Sequence, residues 1–109
     1  YAVMDDLNAG GEGCGTGGTM TVGSKEKGKS TYGAYDMIGN VWEWTNDWYA
    51  GDYYETSPSE NPAGPESGSS RVFRGGSWNY SLTGVLRASI RNGVSPGYSR
   101  NDYGFRCAK

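Results

Sequence analysis

The side chains that carry most covalent chemistry in proteins are scarce in this chain of 109 residues, which has no histidine and two cysteines. Without imidazole there is no Ser-His-Asp or Cys-His pair to activate a nucleophile, no histidine-bearing zinc site and no histidine-ligated iron centre. Cys14 and Cys107 stand near opposite ends of the chain. They are either two free thiols or the halves of one disulfide, and a disulfide would suit a secreted or surface-displayed protein. Such a bridge would close nearly the whole chain, for which loop entropy implies about 4 to 5 kcal/mol of stabilisation before strain. The run GGEGCGTGG at residues 10–18 lacks the lysine-serine or lysine-threonine ending and the following apolar helix of a phosphate loop. It reads as a surface loop, flexible or tightly turned.

Two carboxylates, Asp36 and Glu43, flank the glycine turn of DMIGNVWE. Carboxylates are the hard oxygen donors that calcium takes, but this spacing alone equally describes two solvated surface charges. A third stretch, residues 79–103 (NYSLTGVLRASIRNGVSPGYSRNDY), holds thirteen Tyr, Ser, Gly or Asn residues. That mixture suits recognition, because tyrosine gives broad rigid contact while small polar residues adapt their hydrogen bonds. The same residues also describe ordinary loops that close a domain.

The elements that must position these groups are short. Hydrophobic residues are 35% of the chain against nineteen glycines and nine tyrosines, a composition for short strands and ordered loops rather than a helical bundle. A single domain over residues 1–109 is expected, with a narrow stability margin. A net charge of -2 and a pI near 5.0 offer no general attraction to nucleic acid or anionic lipid, and no apolar run is long enough for membrane insertion. With Tyr1 first and no signal peptide, the chain reads as a fragment or a processed product.

Strands are expected at residues 19–22, 41–45, 71–78, 86–91 and 103–108, with a proline-broken surface loop over 49–70. Alternation in the second of these places Trp42 and Trp44 on one face and Val41 and Glu43 on the other. Those tryptophans read as packing residues, since large aromatics can build a compact core where aliphatic residues are few.

Five segments in order, YGAYDMIGNVWEWTNDW (32–48), NPAG (61–64), RVFRGGSW (71–78), LRASIR (86–91) and GFR (104–106), resemble the signature of the formylglycine-generating-enzyme, or sulfatase-modifying-factor, family. The resemblance covers about residues 19–109, the usual N-terminal half being absent or shortened. It implies an α+β, C-type-lectin-like fold. In the catalytic members two cysteines beyond the Gly-Gly-Ser-aromatic motif bind copper. The matching positions here are Tyr80 and Val85, so the resemblance implies no copper and no thiol oxidation. It also implies a structural calcium held by the side chains of Asp36 and Glu43 and the carbonyls of Gly39 and Val41.

One branch of this resemblance comprises the variable proteins of diversity-generating retroelements. There, adenine-directed randomisation of asparagine-type codons never yields Lys, Glu, Gln, Trp or Met. Residues 79–103 contain none of these five types, whereas the other 84 residues contain seventeen, so the window follows the rule and the rest of the chain does not. The implied function is a non-catalytic module that binds a protein ligand on a cell or particle surface, outside the cell. The expected contact set is Asn79, Tyr80, Ser81, Thr83, Gly84, Asn92, Gly93, Ser95, Tyr98, Asn101, Asp102 and Tyr103. Arg87, Arg91, Pro96 and Arg100 match scaffold positions. Alternatives are a non-catalytic relative with a fixed partner or structural role, and a fragment of an oxidase. If the window is a display surface, Trp42, Trp44, Trp78 and Phe105 should lie beneath it, Leu86 and Ile90 should point inward, and Tyr80, Tyr98 and Tyr103 should be exposed together.

Overall fold

A computed structural model describes residues 2–6, 10–80 and 85–107. Its centre is a four-stranded sheet of order β3-β2-β1-β4, with β1 at Trp42–Trp48, β2 at Arg71–Arg74, β3 at Arg91–Val94 and β4 at Tyr103–Gly104. WEWTNDW forms the longest strand because its bulky aromatic and β-branched side chains fit a pleated, half-buried surface. β1 pairs antiparallel with β2 and parallel with β4, and β2 pairs antiparallel with β3.

Register divides the sheet into two faces, because directly paired residues project to the same side. Trp44 pairs with Phe73 and Trp42 with Tyr103, which collects an aromatic face. Ring centroids there are 4.6 Å apart for Trp42–Phe73, 5.3 Å for Phe73–Tyr103 and 6.0 Å for Trp44–Tyr103. On the other face Arg74 pairs with Arg91 and Val72 with Gly93. A one-turn helix, α1 (Tyr53–Thr56), interrupts the expected 49–70 loop and contributes Tyr53 and Tyr54 to that side.

The buried apolar core consists of Val3, Trp42, Val72, Phe73 and Trp78, so aromatic area does much of the work that aliphatic residues do elsewhere. Val3 is fully buried and bridges to Gly39. Only glycine fits at position 39: its φ is +84°, and a side-chain carbon there would fall 2.2 Å from the Val3 carbonyl oxygen. Gly13 N–H donates to Trp78 O at 2.9 Å and Asp5 N–H to Tyr80 O at 3.1 Å, so the N-terminal glycine-rich stretch is tightly turned and tied to the centre of the fold.

Several expected elements are shorter or displaced. Residues 19–22 form no strand, and residues 86–90 form turns, the strand beginning only at Arg91. β2 stops at Arg74 because Gly75 and Gly76 have φ of +95° and +75°, outside the extended region. β4 is only two residues long. That early end overturns the core assignment of Phe105, which is 76% exposed beyond the strand. Trp44, Leu86 and Ile90 are half-buried rather than fully enclosed.

Candidate functional site

The C-terminal end of the aromatic face is organised by one buried carboxylate. Asp102 is fully buried, and its backbone carbonyl accepts from Trp42 N–H at 2.8 Å, fixing it at the start of β4. Its Oδ1 accepts from Arg100 Nε at 2.9 Å. The Ser77 hydroxyl lies 2.8 Å from Asn79 Oδ1 and 3.2 Å from Asp102 Oδ2, so its single proton is shared between two acceptors. A hydrogen bond to Tyr98, followed by the Asp102 charge, holds the Arg100 pKa above its ordinary value. Asp102 was expected on the contact surface. Its burial corrects that: the carboxylate needs Arg100 and Ser77 to offset desolvation, and therefore points inward.

Beside this network Tyr98 and Tyr103 pack together, and Tyr80 packs against Trp42. Tyr98 and Tyr103 have ring centroids 5.9 Å apart, and Tyr80 meets Trp42 edge-on at 5.6 Å. Tyr98 is 48% exposed, whereas Tyr80 and Tyr103 are half-buried, so the cluster is a platform with one protruding member. The Tyr103 pKa is raised, first by burial and then by the Asp102 charge. Ser95 and Asn101 are exposed. Asn92 is exposed and pairs with Phe73 across the strands, on the aromatic face. Gly93 belongs to the opposite face and lies against the Tyr49 ring, and Asn79 is half-buried in the Ser77 network. Ser81, Thr83 and Gly84 lie outside the described residues.

Sequence reasoning singled out neither the role of Ser77 nor that of Arg106. Arg106 Nε donates to Glu43 Oε2 at 2.6 Å, and its Nη2 binds the other carboxylate oxygen. Its terminal nitrogens also donate to Tyr35 O at 3.0 Å and Asp36 O at 3.2 Å. Asp36 Oδ2 accepts from Gly23 N–H at 2.8 Å, while Gly39 and Val41 contribute only backbone. A guanidinium takes the Glu43 carboxylate in this arrangement, so a calcium held by Asp36, Gly39, Val41 and Glu43 would have to share that carboxylate with Arg106 or displace it. No group of three acidic or thiol ligands occurs among the described residues.

Cys14 and Cys107 are unbridged, contrary to the disulfide reading. Cys14 is held in the glycine turn, its N–H donating to Met4 O and its Sγ lying 3.5 Å from Ala2 O, while Cys107 is exposed after Arg106. Neither cysteine belongs to the tyrosine platform.

Comparison with known proteins places this geometry. Residues 7–109 match the sulfatase-modifying factor enzyme 1-like domain, which extends the resemblance into the N-terminal stretch that packs on Trp78. The serine/threonine-protein kinase pkn1 of Chlamydia caviae is 52% identical over 80 residues, covering 72% of this chain and 13% of the kinase. The formylglycine-generating enzyme of Streptomyces coelicolor is 42% identical over 79 residues, covering 71% of this chain and 25% of the enzyme. Treponema denticola variable protein 1 superposes with a TM-score of 0.71 at 34% identity, covering 96% of this chain and 34% of that one. The chain thus spans a minor part of the length of each of these relatives. It belongs to the sulfatase-modifying factor enzyme 1-like family and has its loop-rich, C-type-lectin-like α+β fold.

Proposed function

We propose that this chain is a non-catalytic binding module whose contact surface lies within residues 79–103 and whose ligand is a protein displayed on a cell or particle surface. The observation that carries the reading is the tyrosine platform, with the exposed Tyr98 against Tyr103 beside the buried Ser77 and Asp102 and their partner Arg100. A fixed polar base under exposed aromatic side chains lowers the entropy lost on binding, and phenols offer both apolar area and a hydrogen bond. Exposed Asn92, Ser95 and Asn101 supply the adaptable part. The likeness to a variable protein of Treponema denticola supports the same reading, as do Tyr80 and Val85 at the positions matched to the enzymes' paired thiols.

A second reading, a fixed structural role, is favoured by the partial burial of Tyr80 and Tyr103. Two measurements separate them. Diversification requires a near-identical copy of the 79–103 coding segment nearby, differing at adenines, beside a reverse transcriptase gene. It also requires that a library randomised at Asn92, Ser95, Tyr98 and Asn101 keeps most members folded, with melting temperatures within about 4 °C of the parent. A unique coding segment together with general unfolding of the library would leave the fixed role standing.

A further inference from the structure

The face of the sheet opposite the tyrosine platform carries two arginines that form no ion pair among the described residues. Arg74 and Arg91 are register partners on β2 and β3. Together with Asp47, Trp48, Tyr53 and Tyr54 they line a cavity of about 100 Å³. Arg91 donates to the Ala50 and Gly51 carbonyls at 2.7 and 3.0 Å, and its guanidinium lies 4.4 Å from the centre of the Tyr54 ring. Arg74 reaches the Ala88 and Ile90 carbonyls at 3.3 and 3.4 Å and the Tyr54 hydroxyl at 3.1 Å. All of these acceptors are neutral. Among the described residues, the ion pairs are Arg100–Asp102 and Arg106–Glu43, so neither cavity arginine has a carboxylate partner. Asp47, the acidic residue of the wall, packs against Gly64 and pairs with neither.

The two phenols have donors to spare. Tyr54 Oη accepts from Arg74, and Tyr53 Oη accepts from Gly64 N–H at 3.0 Å. A tyrosine hydroxyl that accepts one bond still holds its own proton, and among the described residues neither phenol donates it. The cavity therefore combines two guanidinium groups that form no ion pair among the described residues with two phenols that donate to no protein acceptor, and Asp47 in its wall leaves both arginines unpaired.

We propose that this cavity binds a carboxylate, and that its occupant is an acidic side chain of a polypeptide partner. The forked donors of arginine match the two oxygens of a carboxylate. The apolar walls supplied by Trp48, Val72 and Pro62 accommodate the methylene stem of such a side chain, which a fully hydrated inorganic ion does not have. Arg91 falls within residues 79–103 but on the face opposite the tyrosines, and the inference does not depend on that reading.

The test is an NMR titration that follows the Arg74 and Arg91 Nε–Hε signals at constant ionic strength. The probes are a blocked Ala-Glu-Ala tripeptide, its Ala-Gln-Ala counterpart and inorganic phosphate. The glutamate peptide should shift both signals saturably, with a Kd on the order of millimolar, as expected for a single charged group. The glutamine peptide should bind at least about tenfold more weakly, a difference of about 1.4 kcal/mol. The double variant Tyr53→Phe, Tyr54→Phe keeps both rings and should lose about tenfold in affinity for the glutamate peptide. Equal binding of the two peptides, no saturable shift, or unchanged affinity in the double variant would overturn the site. Tighter binding of phosphate than of the glutamate peptide would overturn the polypeptide occupant.

Discussion

Two arginine–carboxylate pairs flank β4, and they are built for different purposes. In Arg100–Asp102 the partners are two residues apart and the carboxylate side chain is 1% exposed. In Arg106–Glu43 they are 63 residues apart and the carboxylate side chain is 21% exposed. The first pair joins no distant elements by itself. Its value lies in what the carboxylate also holds, Ser77 from the loop after β2, and in what Arg100 also holds, Tyr98. The second pair stitches the end of the chain to β1 and to the carbonyls of residues 35 and 36. A buried charge with several partners makes a rigid base for a display surface, whereas a half-exposed pair in solvent makes a clasp.

The largest effect expected from this contrast is at the base. Asp102→Ala removes the acceptor of Arg100 and one acceptor of Ser77 and empties the buried space the carboxylate fills. The loss should come chiefly from Ser77 and the vacated space, because the partly exposed Arg100 is left in contact with water rather than as an unpaired buried charge. Denaturant unfolding measures it. A loss below about 1 kcal/mol would show that the network does not support the platform. Next comes the packing contrast among the tyrosines. Tyr103→Ala, with its ring against Trp44 and Phe73, should lose about 2 kcal/mol, while Tyr98→Ala should stay within about 0.5 kcal/mol. Equal losses would mean that both are scaffold.

The clasp should be weaker and sensitive to salt. Glu43→Gln is expected to cost about 1 kcal/mol at low ionic strength and less at high salt, because the pair is partly exposed. The same pair decides the calcium question. With Arg106 in place, chelator should not move the melting temperature. In Arg106→Gln the Glu43 carboxylate and the carbonyls of Tyr35 and Asp36 are released, and added calcium should then stabilise the protein. A clear fall in the wild-type melting temperature on chelation would instead show calcium and Arg106 sharing the turn.

Much of the frame was legible because the residues that build it are locally distinctive. The alternation of Trp42 and Trp44 announces β1 through propensity, whereas the expected 71–78 strand ran past the glycine pair that ends β2 and the proline-rich stretch hid the one-turn α1. What stayed hidden depends on long-range closure. Nothing local shows that Val3 slots against Gly39, or that Arg106 reaches Glu43. Asp102 was misplaced for the same reason: between Asn101 and Tyr103 it looks like one more polar loop residue, and only Ser77, 25 positions away, shows which way it points. Phe105 failed in the opposite sense, since its hydrophobicity suggested a longer β4 than backbone pairing provides.

The smallest predicted effect joins the base to the platform through protonation. Tyr103 titrates above its usual value of 10.0, first because burial disfavours the phenolate and then because the Asp102 carboxylate repels it. The unfolded chain lacks both influences and loses this proton near pH 10. Above that pH the unfolded state binds fewer protons than the native state, so the stability from this group is complete below about pH 10 and is lost as pH rises through the folded value. Tyr103→Phe should therefore flatten the decline of stability above pH 10. Asp102→Asn should move the Tyr103 titration back toward 10, whereas Glu43→Gln, which removes the other carboxylate, should leave it in place. Ultraviolet titration of phenolate absorbance in the three variants measures this. An identical Tyr103 titration in wild type and Asp102→Asn would show that the buried carboxylate does not act on the platform electrostatically, and that packing alone joins them.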